Sequence, residues 1–303
     1  MTEDQPYEMS INLNVLNHLG IGLYSNIPAV LSEVVANSYD ADASEVTITI
    51  DSGKGEIVIK DDGNGMTRDD INQKYLNVGY QKRVKEPGKT SKGRDPMGRK
   101  GIGKLAVFSI ADTVDVYSIK NGEPSALRMN SQDIKRQIKL TPKEPYHPTP
   151  LDTKLVDFDR GTRIVLGDLK KSVNRTEKFL RRRLARRFSI IGVKNDFEVV
   201  VGEGQIGPED REYYKSIEFL WYIGEIDPGF FEDGELRKNI KKATSISGVV
   251  NAELDYNATG WIGTFDEQKS IDDDDNTIVV MAHGKLIQED VLRDLKEAGV
   301  YSK

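Results

Sequence analysis

The segment that decides the fold is IPAVLSEVVANSY, residues Ile27 to Tyr39, which continues into DADA at Asp40 to Ala43. Either Ser25 or Asn26 can act as its N-cap, and a proline at the second position suits a first helical turn. The apolar residues recur at helical spacing and form one broad face. The segment therefore predicts an α-helix that packs this face against a sheet.

Two polar residues, Glu33 and Asn37, interrupt the apolar helix four positions apart, so their side chains share one face. A carboxylate and a carboxamide side by side in an apolar helix are unfavourable unless they have partners or a function. Glu33 can polarise a water molecule as a general base, and the side-chain oxygen of Asn37 can ligate a hard cation such as Mg²⁺. The alternative is a polar edge that faces solvent.

The composition is that of an ordinary globular protein. The 303 residues favour two domains, and 43 Lys and Arg against 49 Asp and Glu give no overall case for nucleic-acid binding. The absence of cysteine excludes disulfides, thiolate zinc sites and thiol catalysis, and three scattered histidines offer little for a metal site or a triad. Because no signal pattern or membrane-length apolar run occurs, we expect a cytoplasmic protein without a membrane partner.

A predicted hairpin follows the helix. Glu45–Asp51 alternates apolar and polar residues, as a half-buried strand does, and Glu56–Lys60, after the turn Ser52–Gly55, is the second strand of an antiparallel pair. Directly after them, Gly63 and Gly65 would let a ligand approach the backbone, and Asp61 could accept a hydrogen bond from an exocyclic amine such as that of adenine. A solvated turn is the alternative interpretation of the same residues.

A polar segment over residues 78–97 has no core-forming pattern, and loops of this length are usually lids or disordered segments. It leads into GRKGIGK at Gly98 to Lys104. This is not a P-loop, because Leu105 stands where Ser or Thr is needed, and no buried strand precedes it as a dinucleotide fingerprint requires. Glycines that open a helix, together with Arg99, Lys100 and Lys104, could still hold phosphates; a flexible basic loop is the alternative.

The remaining pattern predicts further strands and helices. Thr162, in the segment RGTRIVL, would bring a hydroxyl near Asp61 if their strands are neighbours. The predicted strands are Thr113–Ile119, Lys154–Asp157, Gly161–Leu166, Phe197–Val201, Ile217–Gly224, Gly248–Asp255, Gly260–Phe265 and Thr277–Ala282. The predicted helices are Ser10–Gly20, Thr67–Asn77 with Thr67 as its cap, Arg175–Phe188 and Gln288–Glu297.

The helix predicted at Arg175–Phe188 has apolar residues on one side and arginines on the other. Its arginine face is either a solvated surface or a surface for phosphate or nucleic acid. The acidic run Ser270–Asn276 lacks the glycine and the spacing of a calcium loop, so an exposed loop is the better interpretation.

The chemically distinctive clusters occur in one order: Glu33 with Asn37, then Asp61 with its glycines, then Gly98–Gly103, then Gly161-Thr162. This order resembles the GHKL ATPase superfamily, which includes gyrase B, the large heat-shock chaperone, MutL, MORC proteins and histidine kinases. The resemblance covers about residues 10–170 and is nearest to the MutL, MORC and chaperone branches. Histidine kinases fit least, because no phospho-acceptor helix precedes residue 30.

The resemblance implies an α+β fold: a Bergerat-type ATP-binding α/β sandwich, with helices over a mixed sheet, at residues 1–172 and a lid at about 78–100. A transducer-like α/β domain is implied at 173–303. ATP and Mg²⁺ would lie between the layers, with Glu33 as catalytic base and Asn37 as Mg²⁺ ligand. The implied nucleotide contacts are Asn37, Asp40, Asp61, Gly63, Gly65, Met66, Gly98, Lys100, Gly101, Ile102, Gly103, Lys104 and Thr162.

The resemblance also implies a function: an ATP-hydrolysing conformational switch in which ATP orders the lid and two protomers close into a homodimer that acts on DNA or a protein client. Loose similarity to gyrase makes Lys269 the candidate that reaches the γ-phosphate, unless the true sensor lies beyond Lys303 in a longer protein. The alternative is a nucleotide-gated module that hydrolyses little and grips a protein client, or DNA through Arg175–Arg187. An inactive scaffold is a third possibility.

Overall fold

The computed structural model describes residues 26–77, 88–98, 103–141, 144–170, 176–192, 196–223, 240–246, 259–267, 271–272 and 275–300. These residues divide into two compact units. The first unit takes the described residues up to Arg187 together with Asp196–Ile206, and the second takes those of Phe188–Asn195 and Gly207–Lys303. The boundary predicted after residue 172 lies before the arginine-rich helix, which the structure groups with the first unit.

Helix α1, Ile27–Asp40, is the helix predicted from the opening segment. Asn26 is its N-cap, since the Asn26 side chain accepts a hydrogen bond from the amide of Ala29 at 2.9 Å. Most of α1 is buried, and it packs against a 3₁₀ helix at Gly103–Ser109 and against a later helix, α3, Glu177–Arg187. Helix α1 is therefore the central helix of the first unit.

The first unit contains a mixed sheet. Its strands are β1 Glu45–Asp51, β2 Glu56–Asp61, β3 Ala111–Lys120, β4 Glu123–Asn130, β5 Thr149–Pro150, β6 Gly161–Leu169, β7 Glu198–Val201 and β8 Gly204–Gln205. The strand order is β5-β4-β3-β6-β2-β1-β7-β8, in which β1 and β7 pair in parallel and the other neighbours pair antiparallel. Helices over a mixed sheet confirm the predicted α/β sandwich.

The register of three neighbouring strands places three polar side chains in one row. Thr162 of β6 is the partner of Asp61 of β2 on one side and of Ser118 of β3 on the other. Residues that face each other across antiparallel strands point to the same side of the sheet. The row therefore lies on one face, and Ser38 of α1 contacts it through a hydrogen bond to Asp61.

Short helical segments connect strands of the first unit in the described ranges. Thr67 caps the turn Arg68–Asp70 and forms a capping box with Asp70, as predicted, and a π-helix continues over Ile71–Tyr75. Helix α2, Ser131–Leu140, follows β4 and is capped by Asn130. None of the helices in the described ranges combines the length and the apolar character that crossing a membrane requires.

The second unit contains a three-stranded sheet, β10-β9-β11, and a separate hairpin. Its buried cluster of Tyr214, Ile217 and Leu220 packs against Trp261. The hairpin turns at His283-Gly284, where both residues have positive φ. The elements are β9 Ile217–Ile223, β10 Lys242–Ile246, β11 Gly260–Phe265, β12 Val280–Ala282, β13 Lys285–Gln288 and α4 Val291–Glu297.

The strand predicted at Lys154–Asp157 is wrong. Asp152 caps a 3₁₀ turn at Thr153–Leu155 by accepting a hydrogen bond from the amide of Lys154 at 3.0 Å. An aspartate at this position satisfies a free amide locally, which favours a turn over a strand. The elements that were missed include strands β4, β5, β8 and β10 and helix α2, and the predicted Ser10–Gly20 helix and Gly248–Asp255 strand lie outside the described residues.

Candidate active site

Asp61, at the end of β2, is the most completely hydrogen-bonded carboxylate of the candidate site. Its Oδ1 accepts from the amides of Gly63 and Thr162 at 2.9 and 3.2 Å, and its Oδ2 accepts from the hydroxyl of Ser38 at 2.9 Å. Burial raises the pKa of Asp61 to about 6, although these three hydrogen bonds act in the opposite direction. At neutral pH the group is a buried, ionised acceptor aimed between α1 and the sheet.

Thr162 lies beside Asp61 as the sequence predicted, but its contact is different. Its backbone amide bonds to Asp61, whereas its hydroxyl lies 2.9 Å from Oγ of Ser118. Ser118 is fully buried, accepts a hydrogen bond from the amide of Met66 at 2.9 Å, and lies 3.1 Å from the carbonyl of Gly161. The predicted neighbour relation is thus observed, with Ser118 as an additional member.

The turn after β2 approaches the ends of two other strands. Gly65 has a φ of 63°, and a Cβ there would overlap the carbonyl oxygen of Ile119. A Cβ on Gly63 would lie 2.8 Å from the carbonyl oxygen of Ala41 and 3.0 Å from Oδ1 of Asp61. These glycines therefore serve close backbone packing around Asp61, which also brings Met66 onto Ser118.

Glu33 and Asn37 lie on α1 with unequal exposure. The side chain of Asn37 is exposed in a helix that is otherwise mostly buried, and it makes no side-chain hydrogen bond with another residue of the described ranges. Glu33 is half-buried, and a Cβ on Gly103 would lie 2.5 Å from its Oε2. The start of the 3₁₀ helix at Gly103 thus packs directly on the Glu33 carboxylate.

Asp40 holds the glycine-rich segment at its first glycine. Its two carboxylate oxygens accept hydrogen bonds from the amides of Met97 and Gly98 at 2.7 and 2.8 Å, and the Asp40 side chain is buried. A Cβ on Gly98 would lie 2.9 Å from Oδ2 of Asp40. Asp40 and Gly98, both predicted nucleotide contacts, therefore contact each other.

Lys104 makes contacts that the sequence did not indicate. Its Nζ donates to the carbonyls of Lys74 and Asn77 at 2.7 and 2.6 Å. Burial lowers the pKa of Lys104 to about 8. Two of the three N–H groups on the predicted phosphate-binding ammonium are therefore occupied by backbone carbonyls, and its contact with phosphate stays a prediction.

The described part of the predicted lid, residues 88–98, is attached to the first unit. Arg94 donates to the carbonyl of Ala43 at 2.6 Å and to that of Asp196 at 2.6 Å, and its guanidinium stacks over the ring of Tyr39. Asp42 accepts from the amides of Ser91 and Lys92. These contacts place residues 88–98 in a hydrogen-bonded loop, whereas residues 78–87 lie outside the described ranges.

The arginines of α3 do not form a solvated face. Arg186 is buried, and Arg181, Arg182, Arg183 and Arg187 are half-buried. Every one of them has an interaction partner, such as the ring of Phe179 under the guanidinium of Arg183. The arginine-rich helix is therefore built into the first unit, and its use as a nucleic-acid surface stays a prediction.

A separate cleft of 460 Å³ is lined by Asp62, Phe158, Arg160 and neighbouring residues of β1 and β2. Asp61 is its one residue in common with the predicted site, and Glu33 and Asn37 do not line it. The cleft therefore shares only Asp61 with the row of polar side chains beneath α1.

The structure adds two residues and places predicted site residues in three contacting groups: Asp61 with Gly63 and Thr162, Asp40 with Gly98, and Glu33 with Gly103. Ser38 and Ser118 were not assigned roles from the sequence, although both hydroxyls bond to predicted residues. Ser38 directly follows Asn37 in the motif that carried the resemblance, which was the available signal; Ser118 had none. Lys100, Gly101, Ile102 and Lys269 lie outside the described residues.

Comparison with known proteins agrees with this geometry. The family model described as "Histidine kinase-, DNA gyrase B-, and HSP90-like ATPase" matches residues 24–162, which include α1, the Asp61 turn and Thr162. Residues 24–162 of the chain belong to the GHKL ATPase superfamily. This GHKL domain lies within residues 10–170, which the resemblance covers, so the predicted fold and superfamily are confirmed, whereas the nearness to the MutL and MORC branches stays a prediction.

Two kinds of named relative match this chain. A protein of Herpetosiphon aurantiacus named "Putative type II restriction enzyme HgiDII" is 40% identical over 98% of this chain and 48% of its own length. The chaperone protein HtpG of Mesorhizobium japonicum is 26% identical over 61% of this chain and 31% of its own length, and that of Rickettsia canadensis is 26% identical over 58% and 30%. The chain thus spans about half or less of the length of these relatives.

Proposed function

We propose that this chain is an ATP-hydrolysing conformational switch that binds ATP and Mg²⁺ between α1 and the sheet. The observation that carries the proposal is the fixed arrangement around Asp61, where Ser38, Gly63 and Thr162 orient an ionised acceptor inside a GHKL domain. An adenine amine is the complementary donor for such a carboxylate. Met66 and Gly65 would line the same turn on the ligand side.

Asn37 on α1 fits the role of Mg²⁺ ligand. Its side-chain oxygen is of the kind that Mg²⁺ prefers, and Glu33, which would act as the base, lies four residues away on the same helical face. The Asn37 amide is exposed, so it can reach a metal held by phosphates. When bound there, Mg²⁺ would neutralise charge on the phosphate oxygens during transfer.

The chain's own residues would position the reaction. Glu33 would orient and deprotonate the attacking water, with Gly103 packed against the carboxylate so that its direction is limited. The segment Gly98–Gly103, which includes Lys100, Gly101 and Ile102, is anchored at one end by Asp40. Its backbone amides would face the phosphates. The remaining N–H of Lys104 is available for a phosphate, and Lys269 would reach the γ-phosphate.

We further propose that ATP binding closes the predicted lid, at about residues 78–100, and drives two protomers into a homodimer in the cytoplasm. Sedimentation velocity with a non-hydrolysable ATP analogue and Mg²⁺, against the protein alone, tests this directly, and a phosphate-release assay tests hydrolysis. A shift to twice the mass with ATP turnover supports the switch. Absence of nucleotide binding in calorimetry would overturn the proposed function as a whole.

A second candidate is a nucleotide-gated module that acts on DNA within a longer protein. It is favoured by the 40% identity, over nearly the whole chain, to a protein named as a restriction enzyme. The similarity to HtpG favours a protein client instead. Duplex binding that depends on ATP and falls steeply with salt would support the DNA version, whereas no binding at low salt would end it.

The arginine-rich helix needs a careful variant in that experiment. Replacing the buried Arg186 by an acidic residue would bury a carboxylate and disrupt the packing of α3, so Arg182 is the better target. Arg182→Gln should weaken binding to duplex and reduce its salt slope by about one if the helix contacts phosphate. Lys54→Gln, in the exposed turn between β1 and β2, is the matched control for the loss of one positive charge.

A further inference from the structure

Ser118 joins three separate segments of the GHKL domain through one buried hydroxyl. Its Oγ lies within 3.1 Å of the Met66 amide, the Thr162 hydroxyl and the Gly161 carbonyl oxygen. These groups belong to the turn after Asp61 and to the first two residues of β6. Because Ser118 has no exposed surface, the hydrogen-bond partners of its hydroxyl are these three protein groups and not bulk solvent.

The hydrogen-bonding capacity of a serine determines how the protons are arranged. A hydroxyl has one proton and two acceptor lone pairs. The Met66 amide can only donate and the Gly161 carbonyl can only accept, so Ser118 accepts from the first and donates to the second. The Thr162 hydroxyl then donates to Ser118, an arrangement that uses the full capacity of the serine.

This arrangement has a consequence for Thr162. Because its proton points to Ser118, its oxygen offers acceptor lone pairs to whatever lies beside it. Asp61, Thr162 and Ser118 lie in one row on the same face of the sheet, beneath α1. The base site, meaning the place proposed for the adenine ring beside Asp61, thus presents two hydrogen-bond acceptors side by side: the Asp61 carboxylate and the Thr162 hydroxyl oxygen.

We propose that Ser118 is a positioning residue that makes the base site selective for adenine over guanine nucleotides by holding the Thr162 hydroxyl as an acceptor. Adenine carries an exocyclic amine, a donor, at the position where guanine carries a carbonyl oxygen, an acceptor. Two adjacent acceptors suit the amine and repel the carbonyl. The inference rests on the proposed ATP site and adds a residue that itself does not touch the nucleotide.

The test compares ATP and GTP affinities by calorimetry on the 303-residue chain with Mg²⁺. Ser118→Ala should weaken ATP binding roughly tenfold, the effect of one neutral hydrogen bond, and lower the ratio of ATP to GTP affinity by about the same factor. Ser118→Thr keeps a hydroxyl and should restore the ratio. Ser125→Ala, at a buried serine of β4 that faces Ser118 across the strand pair, is the matched control and should change neither quantity.

A double-mutant cycle separates positioning from a general structural role. Thr162→Val removes the hydroxyl with little change of shape, and after it the further change Ser118→Ala should no longer affect the ATP to GTP ratio. Independent, additive effects would overturn the inference. If Ser118→Ala does not fold, Thr162→Val alone must lower the ratio while Ser118→Thr keeps it.

The outcomes also distinguish this inference from the proposed function. If the unmodified chain binds ATP but shows no preference over GTP, or if Ser118→Ala lowers only the melting temperature, the inference fails and the ATP site stands. If the unmodified chain binds neither nucleotide, the proposed function fails and the inference fails with it.

Discussion

Gly103 packs so closely on Glu33 that a methyl group at position 103 would lie 2.5 Å from Oε2 of the carboxylate. Gly103→Ala would therefore displace the end of a flexible side chain while leaving the backbone in place. We expect turnover to fall roughly a hundredfold through misplacement of the base, with the melting temperature nearly unchanged. Steady-state phosphate release measures this. Gly167→Ala, where the new methyl group meets only an ordinary contact at 3.8 Å, is the control and should leave turnover intact.

Replacement of Glu33 itself tests its role as the base. Glu33→Ala should lower kcat by about 10² to 10⁴, because no group then accepts the proton of water, while ATP affinity stays within a few fold. The isosteric Glu33→Gln should behave alike. Glu123→Gln, at an exposed position of β4, controls for the loss of one charge. Turnover equal to that of the unmodified chain would reject Glu33 as the base.

Asp61→Asn should weaken nucleotide binding itself. The carboxylate accepts from three donors, and an amide group would present a donor of its own to one of them. We expect ATP affinity to fall at least about tenfold in a calorimetric titration, which corresponds to about 1.4 kcal/mol. Asp69→Asn, at an exposed position in the following turn, should have no effect. Equal affinity in Asp61→Asn would remove Asp61 from the site.

The raised pKa of Asp61, to about 6, predicts two opposite effects of pH. Because the folded-state pKa exceeds the ordinary value of 3.8, the folded chain binds this proton more tightly, so the contribution of Asp61 to stability is present below pH 4 and is lost as pH rises through 6. The size is on the order of 3 kcal/mol. ATP affinity should instead rise over the same range, as the acceptor ionises. Both slopes should flatten in Asp61→Asn when measured by denaturant unfolding and calorimetry.

Lys104→Met distinguishes anchoring from phosphate binding. Loss of the ammonium leaves the carbonyls of Lys74 and Asn77 without their donor, which should lower the free energy of unfolding by about 1 to 3 kcal/mol. The ratio of ATP to adenosine affinity should change little if anchoring is the main role. A drop of tenfold or more in that ratio would instead establish a contact with phosphate. Lys178→Met, at an exposed position of α3, is the control for stability.

Much of the fold was predictable because its signals are local. Asn26 caps α1, Thr67 caps the following turn, and β1 alternates apolar and polar residues, so the predicted starts of the two helical segments and the bounds of β1 differ little from those observed. Strand β4 was missed because EPSALRMN has a proline at its second position and carries Arg128 among its apolar residues. Its place in the sheet depends on pairing with β3, which no local pattern shows.

The candidate site was predictable only where the family motif is contiguous in sequence. Ser118 is one small polar residue in an otherwise ordinary strand, and it acquires its role from Thr162, 44 positions later. Lys104 has the charge expected of a phosphate ligand, yet in the folded chain its ammonium donates hydrogen bonds to two backbone carbonyls. The roles of Ser118 and Lys104 both depend on contacts between residues that are distant in the sequence. The periodicity of the sequence carries no information about such contacts.

The order in which the chain visits the two units has a practical consequence. It leaves the first unit after Arg187, returns for Asp196–Ile206, and leaves again at Gly207. Strand β7, which lies in the returning segment, completes the edge of the sheet next to β1. Cleavage after Arg187 therefore separates strands β7 and β8 from the rest of the first unit, whereas cleavage after Ile206 leaves all of that unit in one fragment, and an expression vector that stops near residue 172 would encode a sheet lacking two of its strands.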